Sequence, residues 1–236
     1  MKLLALETST EQCSVALSLD GHEHVSEIHA GQRHSELLLD MVQALCAAQR
    51  VALKEIEGFA FGAGPGSFTG LRIACGVVQG MAFGAGRKVV GVTSLEALAE
   101  QSGANRVIAA LDARMGETYF AAYERAADRW HAVIAPCLCD ADTLPVLAGA
   151  DWVGIGSGFD RHAYVRERYT AQVSDIKADR LPGAREIARL ACREFAAGRA
   201  IEPDFAAPLY IRDKVAMTIE ERAALRRQKG AAVAGT

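Results

Sequence analysis

Leu4-Ala5-Leu6-Glu7 followed by Ser14-Val15-Ala16-Leu17, and Ala109-Ala110-Leu111-Asp112 followed by Thr118-Tyr119-Phe120-Ala121, carry one programme twice. In each, an apolar run of strand length ends in a carboxylate, turns, and returns as a second strand. In each half, strands are then followed by a helix, a further strand and another helix. A unit used twice predicts an α/β protein of two packed subdomains with a cleft between them. No Pro- or Ser-rich linker separates the halves, so the subdomains are expected to share an interface.

Working outward in the first half, the alternation of Ser14–Asp20 meets the turn signal Asp20-Gly21 and re-enters as Glu23–His29. A helix is predicted over Ser35–Gln49, a buried strand over Gly58–Gly62, a helix over Phe68–Ala85 and a strand over Lys88–Val92. Thr93-Ser94-Leu95-Glu96 has the capping-box spacing that starts another helix. The second half predicts strands at Val107–Asp112 and Thr118–Glu124 around a Met115-Gly116 turn. A third strand near Trp130–Ile134, a short helix near Asp142–Leu147, a strand at Trp152–Gly156 and a helix at Ala184–Ala197 follow. The expected divisions are residues 1–103, residues 104–212, and a C-terminal helix with a frayed tail over 213–236, the last stretch, Gly230–Thr236, being small and uncharged.

The chain has 236 residues, half of them apolar, and a formal net charge of −3. Such a surface is no general electrostatic trap for nucleic acid, so RNA contact must be local or made by a partner. Glu7 comes too early for a signal peptide, and the most apolar run, Ile73–Gly86, is short for a bilayer and contains Gln79. The expectation is a cytoplasmic protein without a membrane span. Six cysteines form no C-x-x-C pair, which fits free thiols in a reducing compartment.

Gly62-Ala63-Gly64-Pro65-Gly66-Ser67-Phe68-Thr69-Gly70 follows a strand and opens a helix, where backbone N–H groups can hold an anion. A Walker A loop would need a Lys, and a dinucleotide fingerprint would need Gly where Ser67 stands. A tight turn with close helix–sheet packing is the other reading. Glu7 and Asp112 each end the first strand of their half. Either they form a carboxylate pair in the cleft or each closes a turn; with Gly64, Gly66 and Ser67 they mark a candidate vestigial cleft. No two histidines stand three or four apart, and His22 with His24 lacks a third ligand nearby. No G-x-S-x-G elbow is present.

From Glu36 to Ala48 the polar residues Glu36, Asp40 and Gln43 make one narrow stripe, and the rest is apolar. Over Phe68–Ala85 only Arg72 and Gln79 are long and polar, while Gly76, Gly80 and Gly84 recur every four residues. Both helices are apolar beyond what one buried face requires. Either the other subdomain or a partner protein covers the excess, and Leu37, Leu38, Met41, Leu45, Ala74, Val77, Gly80 and Met81 are the candidate partner interface.

Leu4–Thr10 with Cys13–Ala16, Arg33-His34-Ser35, Gly64-Pro65-Gly66-Ser67-Phe68-Thr69-Gly70-Leu71-Arg72-Ile73 and Thr93-Ser94-Leu95-Glu96 resemble the TsaB (YeaZ) family. Asp112-Ala113-Arg114-Met115-Gly116-Glu117 and Pro208-Leu209-Tyr210-Ile211-Arg212 extend the resemblance in the family's order. It implies a duplicated actin/Hsp70-like (ribonuclease H-like) fold and a non-catalytic role in making threonylcarbamoyladenosine beside the tRNA anticodon. The family's catalytic sister, TsaD, carries a metal-binding H-x-E-G-H segment, which aligns with Ser94-Leu95-Glu96-Ala97-Leu98, so both ligand histidines are missing here. The implied partners are a TsaD-like sister and a TsaE-like ATPase, with a homodimer when alone and tRNA met through the complex. Metal and ATP are then expected on partner subunits and no cofactor in this chain. The sequence departs from the family in having Glu7 where Asp is usual. The glycine of an actin-like phosphate turn is also lacking from Thr8–Ser14. Two enzymatic alternatives remain, a metalloprotease-like glycoprotease and a small-molecule kinase on the same fold.

Overall fold

The computed structural model describes residues 1–212. Two five-stranded mixed sheets organise the chain. The first has the order β3-β2-β1-β4-β5, from β1 (Lys2–Glu7), β2 (Gln12–Leu19), β3 (His22–His29), β4 (Gly58–Gly64) and β5 (Val89–Thr93). The second has the order β10-β9-β6-β7-β8, from β6 (Arg106–Asp112), β7 (Thr118–Ala126), β8 (Arg129–Cys139), β9 (Trp152–Ile155) and β10 (Val173–Lys177). In both, the first strand pairs antiparallel with the second and parallel with the fourth: Glu7 faces Ser14, and Asp112 faces Thr118. The duplication read from the two openings is therefore the duplication of the sheets.

The helices are α1 (His34–Ala48), α2 (Phe68–Ala85), α3 (Ser94–Ser102), α4 (Gly158–Arg161), α5 (Ala163–Tyr169) and α6 (Ala184–Ala196). Strand alternation gives each sheet two apolar faces, and each is covered. Leu4, Leu6, Val15, Leu17, Phe59 and Phe61 pack on α1 and α2. The opposite face, with Leu3, Ala5, Ala16 and Ala60, packs on α6 through Ala184, Ile187, Ala188 and Ala191. Leu95, Leu98 and Ala99 of α3 cover Val107, Ala109 and Leu111 of the second sheet. Its far face is closed by Phe159, Val165 and Tyr169.

The helices thus cross over. The Ala184–Ala196 helix, expected with the second half, returns to the first sheet, where Ala184 N donates to Ser14 Oγ at 2.8 Å. The strands of the two sheets lie within residues 2–93 and 106–177, and each sheet borrows the last helix of the other half. Behind the cleft the halves are joined at buried Glu100 on α3. Its carboxylate takes Arg193 of α6 at 2.8 Å, the Trp130 indole at 2.9 Å, and Arg125 of β7.

The α2 limits follow from local chemistry: Ser67 Oγ accepts from Gly70 N, and Gly86 ends the helix in the left-handed region at φ 62°. The helix expected near Asp142–Leu147 is absent. Asp140 Oδ1 instead takes Thr143 N at 3.0 Å and Asp142 N at 3.1 Å, an Asx turn, and Pro145 biases Leu144 away from helical backbone. Leu144 and Leu147 are buried all the same, as loop residues over the second sheet. The expected C-terminal helix and tail lie outside the described residues.

Candidate functional site

A cavity of about 980 Å³ lies between the halves where β1 and β6 end. Glu7, at the end of β1, is fully buried and does not line the cavity. Ser9 N donates to Glu7 Oε1 at 2.5 Å; Ser94 Oγ lies 3.2 Å from Oε2 and 3.0 Å from Ser9 Oγ. Burial pushes the Glu7 carboxyl above its usual range, against the opposing pull of the Ser9 and Ser94 bonds. The first strand of the first half therefore ends in a sealed, hydrogen-bonded carboxyl.

Asp112 stands at the matching place in the second half and does reach the cavity. Its Oδ1 accepts from Arg114 N at 2.8 Å and lies 2.9 Å from His162 Nε2, while its own N–H donates to Ser157 Oγ at 3.1 Å. Glu7 and Asp112 are thus no cleft carboxylate pair. The former is walled in and the latter closes a turn and holds a histidine. His162 gave no signal in the sequence, since it stands alone and fifty residues from its partner.

The glycine-rich segment is a packing turn. Ser67 N donates to Ser9 O at 2.7 Å, and Thr8 Oγ1 donates to Gly70 O at 2.7 Å. A Cβ on Gly66 would meet Ser9 at 2.5 Å, and one on Gly70 would overlap the Thr8 carbonyl oxygen. Gly66 and Ser67 line the cavity together with Phe68 and Thr69, and Gly64 does not.

Ser94 and Leu98 are fully buried, Ser94 toward Glu7 and Leu98 in the core of the second sheet. Among the described residues, no three His, Cys, Asp or Glu side chains converge as a metal site.

The candidate interface residues divide. Leu38, Met41, Leu45 and Ala74 are buried in the chain's own core, because these positions of α1 and α2 face the first sheet. They cannot form an outer patch. Leu37, Val77 and Met81 are half-buried and Gly80 is exposed. The outward face of the pair carries Leu39, Gly76, Gly80, Phe83 and Gly84, with Phe83 73% exposed and the neighbouring Phe205 74% exposed. Gln79 Nε2 fixes that neighbour by donating to the carbonyls of Pro203 and Ala206 at 3.0 and 3.1 Å.

The profile of the family described as TsaD, tRNA N6-adenosine threonylcarbamoyltransferase, matches residues 25–220. The chain is 37% identical over 226 residues to the tRNA threonylcarbamoyladenosine biosynthesis protein TsaB of Escherichia coli K12, across 92% of this chain and 96% of that one. Its identity to the Haemophilus influenzae protein of the same name is 34% over 229 residues, across 91% and 95%. YeaZ from Pseudomonas aeruginosa superposes with a TM-score of 0.80 at 37% identity, over 89% of this chain and 99% of that one. A second Pseudomonas aeruginosa structure, an uncharacterized protein with similarity to peptidase YEAZ, gives 0.83 at 39% over the same shares.

Proposed function

Since the chain belongs to the TsaB family, whose named members are proteins of tRNA threonylcarbamoyladenosine biosynthesis, we propose that it serves that pathway as a non-catalytic subunit. It supports a TsaD-like sister that performs the transfer to the adenosine beside the anticodon, and it helps recruit a TsaE-like ATPase, in the cytoplasm. The observation that carries this reading is the burial of Ser94 and Leu98 at the positions aligned with the sister's metal-ligand histidines. A hydroxyl held by Glu7 and a leucine inside a hydrophobic core offer a metal no ligands of the kind such sites use. Metal and ATP then act on the partners, and tRNA is met through the assembly.

The partner face is the outside of α1 and α2. A glycine inside a helix costs about 1 kcal/mol relative to alanine. Gly76, Gly80 and Gly84 incur that cost with no internal reason, since a Cβ on any of them would meet nothing within 4 Å. Small residues at this spacing let another helix approach closely, and Phe83 beside them supplies apolar area. An actin-like sister presents equivalent helices, so the same face serves a homodimer when this chain is alone.

Reconstitution of threonylcarbamoyl transfer from purified subunits tests the proposal. The sister and ATPase are expected to be inactive without this chain and active with it, and the isolated chain to transfer nothing with iron or zinc added. Transfer by the isolated chain, or full activity without it, would overturn the reading.

A further inference from the structure

Residues 206–212 cross the mouth of the cavity as an extended segment and form one of its walls through Leu209–Arg212. On the first half, Leu209 N donates to Ala63 O at 2.7 Å, alongside the end of β4. The Tyr210 ring packs on Phe68 with centroids 5.4 Å apart. Arg72 locks the pair: its guanidinium lies 3.9 Å over the Phe68 ring, and Nε donates to Tyr210 Oη at 2.9 Å. The segment then reaches the second half, where Arg212 Nη2 donates to Ala113 O at 3.0 Å and to Glu117 Oε2 at 2.5 Å.

The receptacle for Arg212 is itself a closed turn. Ala113 N donates to Glu117 O and Glu117 N to Arg114 O, both at 3.0 Å, with Arg114 and Met115 in the left-handed region. The sequence blocks around Phe68–Arg72, Asp112–Glu117 and Pro208–Arg212, far apart in the chain, therefore meet at one place. Neither a catalytic site nor the outer α1–α2 face uses them. The halves are also pinned at Glu100, which does not line the cavity.

We propose that residues 206–212 are a latch: Arg212 ties the two halves across the cavity mouth, and its release from Ala113 and Glu117 lets the halves part there. Nη2 makes both bonds, a charge-assisted one to the Glu117 carboxylate and one to the Ala113 carbonyl, and a lysine in its place would keep the charge but lose the planar geometry.

Amide hydrogen exchange on the full chain, wild type beside Arg212→Ala, Arg212→Lys and Glu117→Gln, tests this. With Arg212→Ala, exchange should rise about tenfold over 111–119 and 62–68 while 94–102 and 184–196 keep wild-type protection; Arg212→Lys should lie between. Glu117→Gln retains the Ala113 carbonyl bond and should show the same pattern, weaker. Should Arg212→Ala fail to fold, the Glu117→Gln pattern decides alone. Wild-type exchange at the mouth, or an equal rise in all four segments, would overturn the latch.

Discussion

The Glu7 carboxylate occupies the space that a side chain on Gly62 would need: an added Cβ would overlap Oε2 and fall 2.9 Å from Oε1. The two residues sit on the neighbouring strands β1 and β4, so acid length and glycine size are matched.

Gly62→Ala should therefore destabilise the protein by about 2–4 kcal/mol, as overpacking of a buried polar site does. Adding Glu7→Asp should recover part of the loss, because the shorter acid withdraws from the new methyl. Urea denaturation of the two single variants and the double variant measures the coupling; strict additivity would show that the residues do not compete for space.

Glu96, on α3, has its carboxyl pushed up to about 7 by burial, reinforced by the Glu194 and Glu100 carboxylates. Its folded-state value lies above its unfolded one, so the folded protein holds a proton that the unfolded chain releases. Stability from this group is full below about pH 4.5 and is lost as pH rises toward 7. Glu96→Gln should match wild type near pH 4.5 and exceed it by on the order of 1–2 kcal/mol at pH 8. Thermal melts across that range check the sign; a gap that widens toward acid would contradict it.

Glu100 behaves oppositely. Burial raises its carboxyl, but Arg193, the Trp130 indole and Arg125 outweigh that and leave it below the usual range. Its contribution is present above the unfolded value and disappears as pH falls. Glu100→Gln leaves Arg193 and Arg125 without their counter-charge and should cost about 2–3 kcal/mol at neutral pH, less in acid. Equal destabilisation at pH 3.5 and pH 7 would show that the ion pairs contribute nothing.

Gly80 separates folding from assembly. Gly80→Ala should raise chain stability by about 1 kcal/mol, since the site is helical and open. Gly80→Glu should fold as well as wild type but weaken dimer and sister-subunit capture a hundredfold or more by placing an unpaired charge in the contact. Light scattering and pull-down on the folded variant decide; unchanged capture would move the interface elsewhere.

Much of the architecture was legible because its signals act over a few residues. Ser67 and Gly86 bracket α2 through bonds within one helical turn, and the predicted limits Phe68–Ala85 are those observed. The repeated strand pair ending in Glu7 and Asp112 gave both sheets their first two strands. The strand β10 went unseen, because Val173–Lys177 is short and half polar and is held by pairing with β9. Nothing local marks Glu7 as sealed off from the cavity, since sealing it takes Ser94, eighty-seven residues away.

The sequence by itself determined the order and type of most elements, the duplication, and the family, since capping, alternation and contiguous blocks are local properties of the chain. Tertiary structure alone decided which side of α1 is inside. Leu37 and Leu39 are as apolar as Leu38 and Met41, so only the fit against Val15 and Phe59 could choose between faces. It also decided that α6 returns to the first sheet and that Arg212 reaches Glu117 across ninety-five residues. Such pairings join groups with no local mark, selected because they bury surface and satisfy charge better than the alternatives available to the same residues.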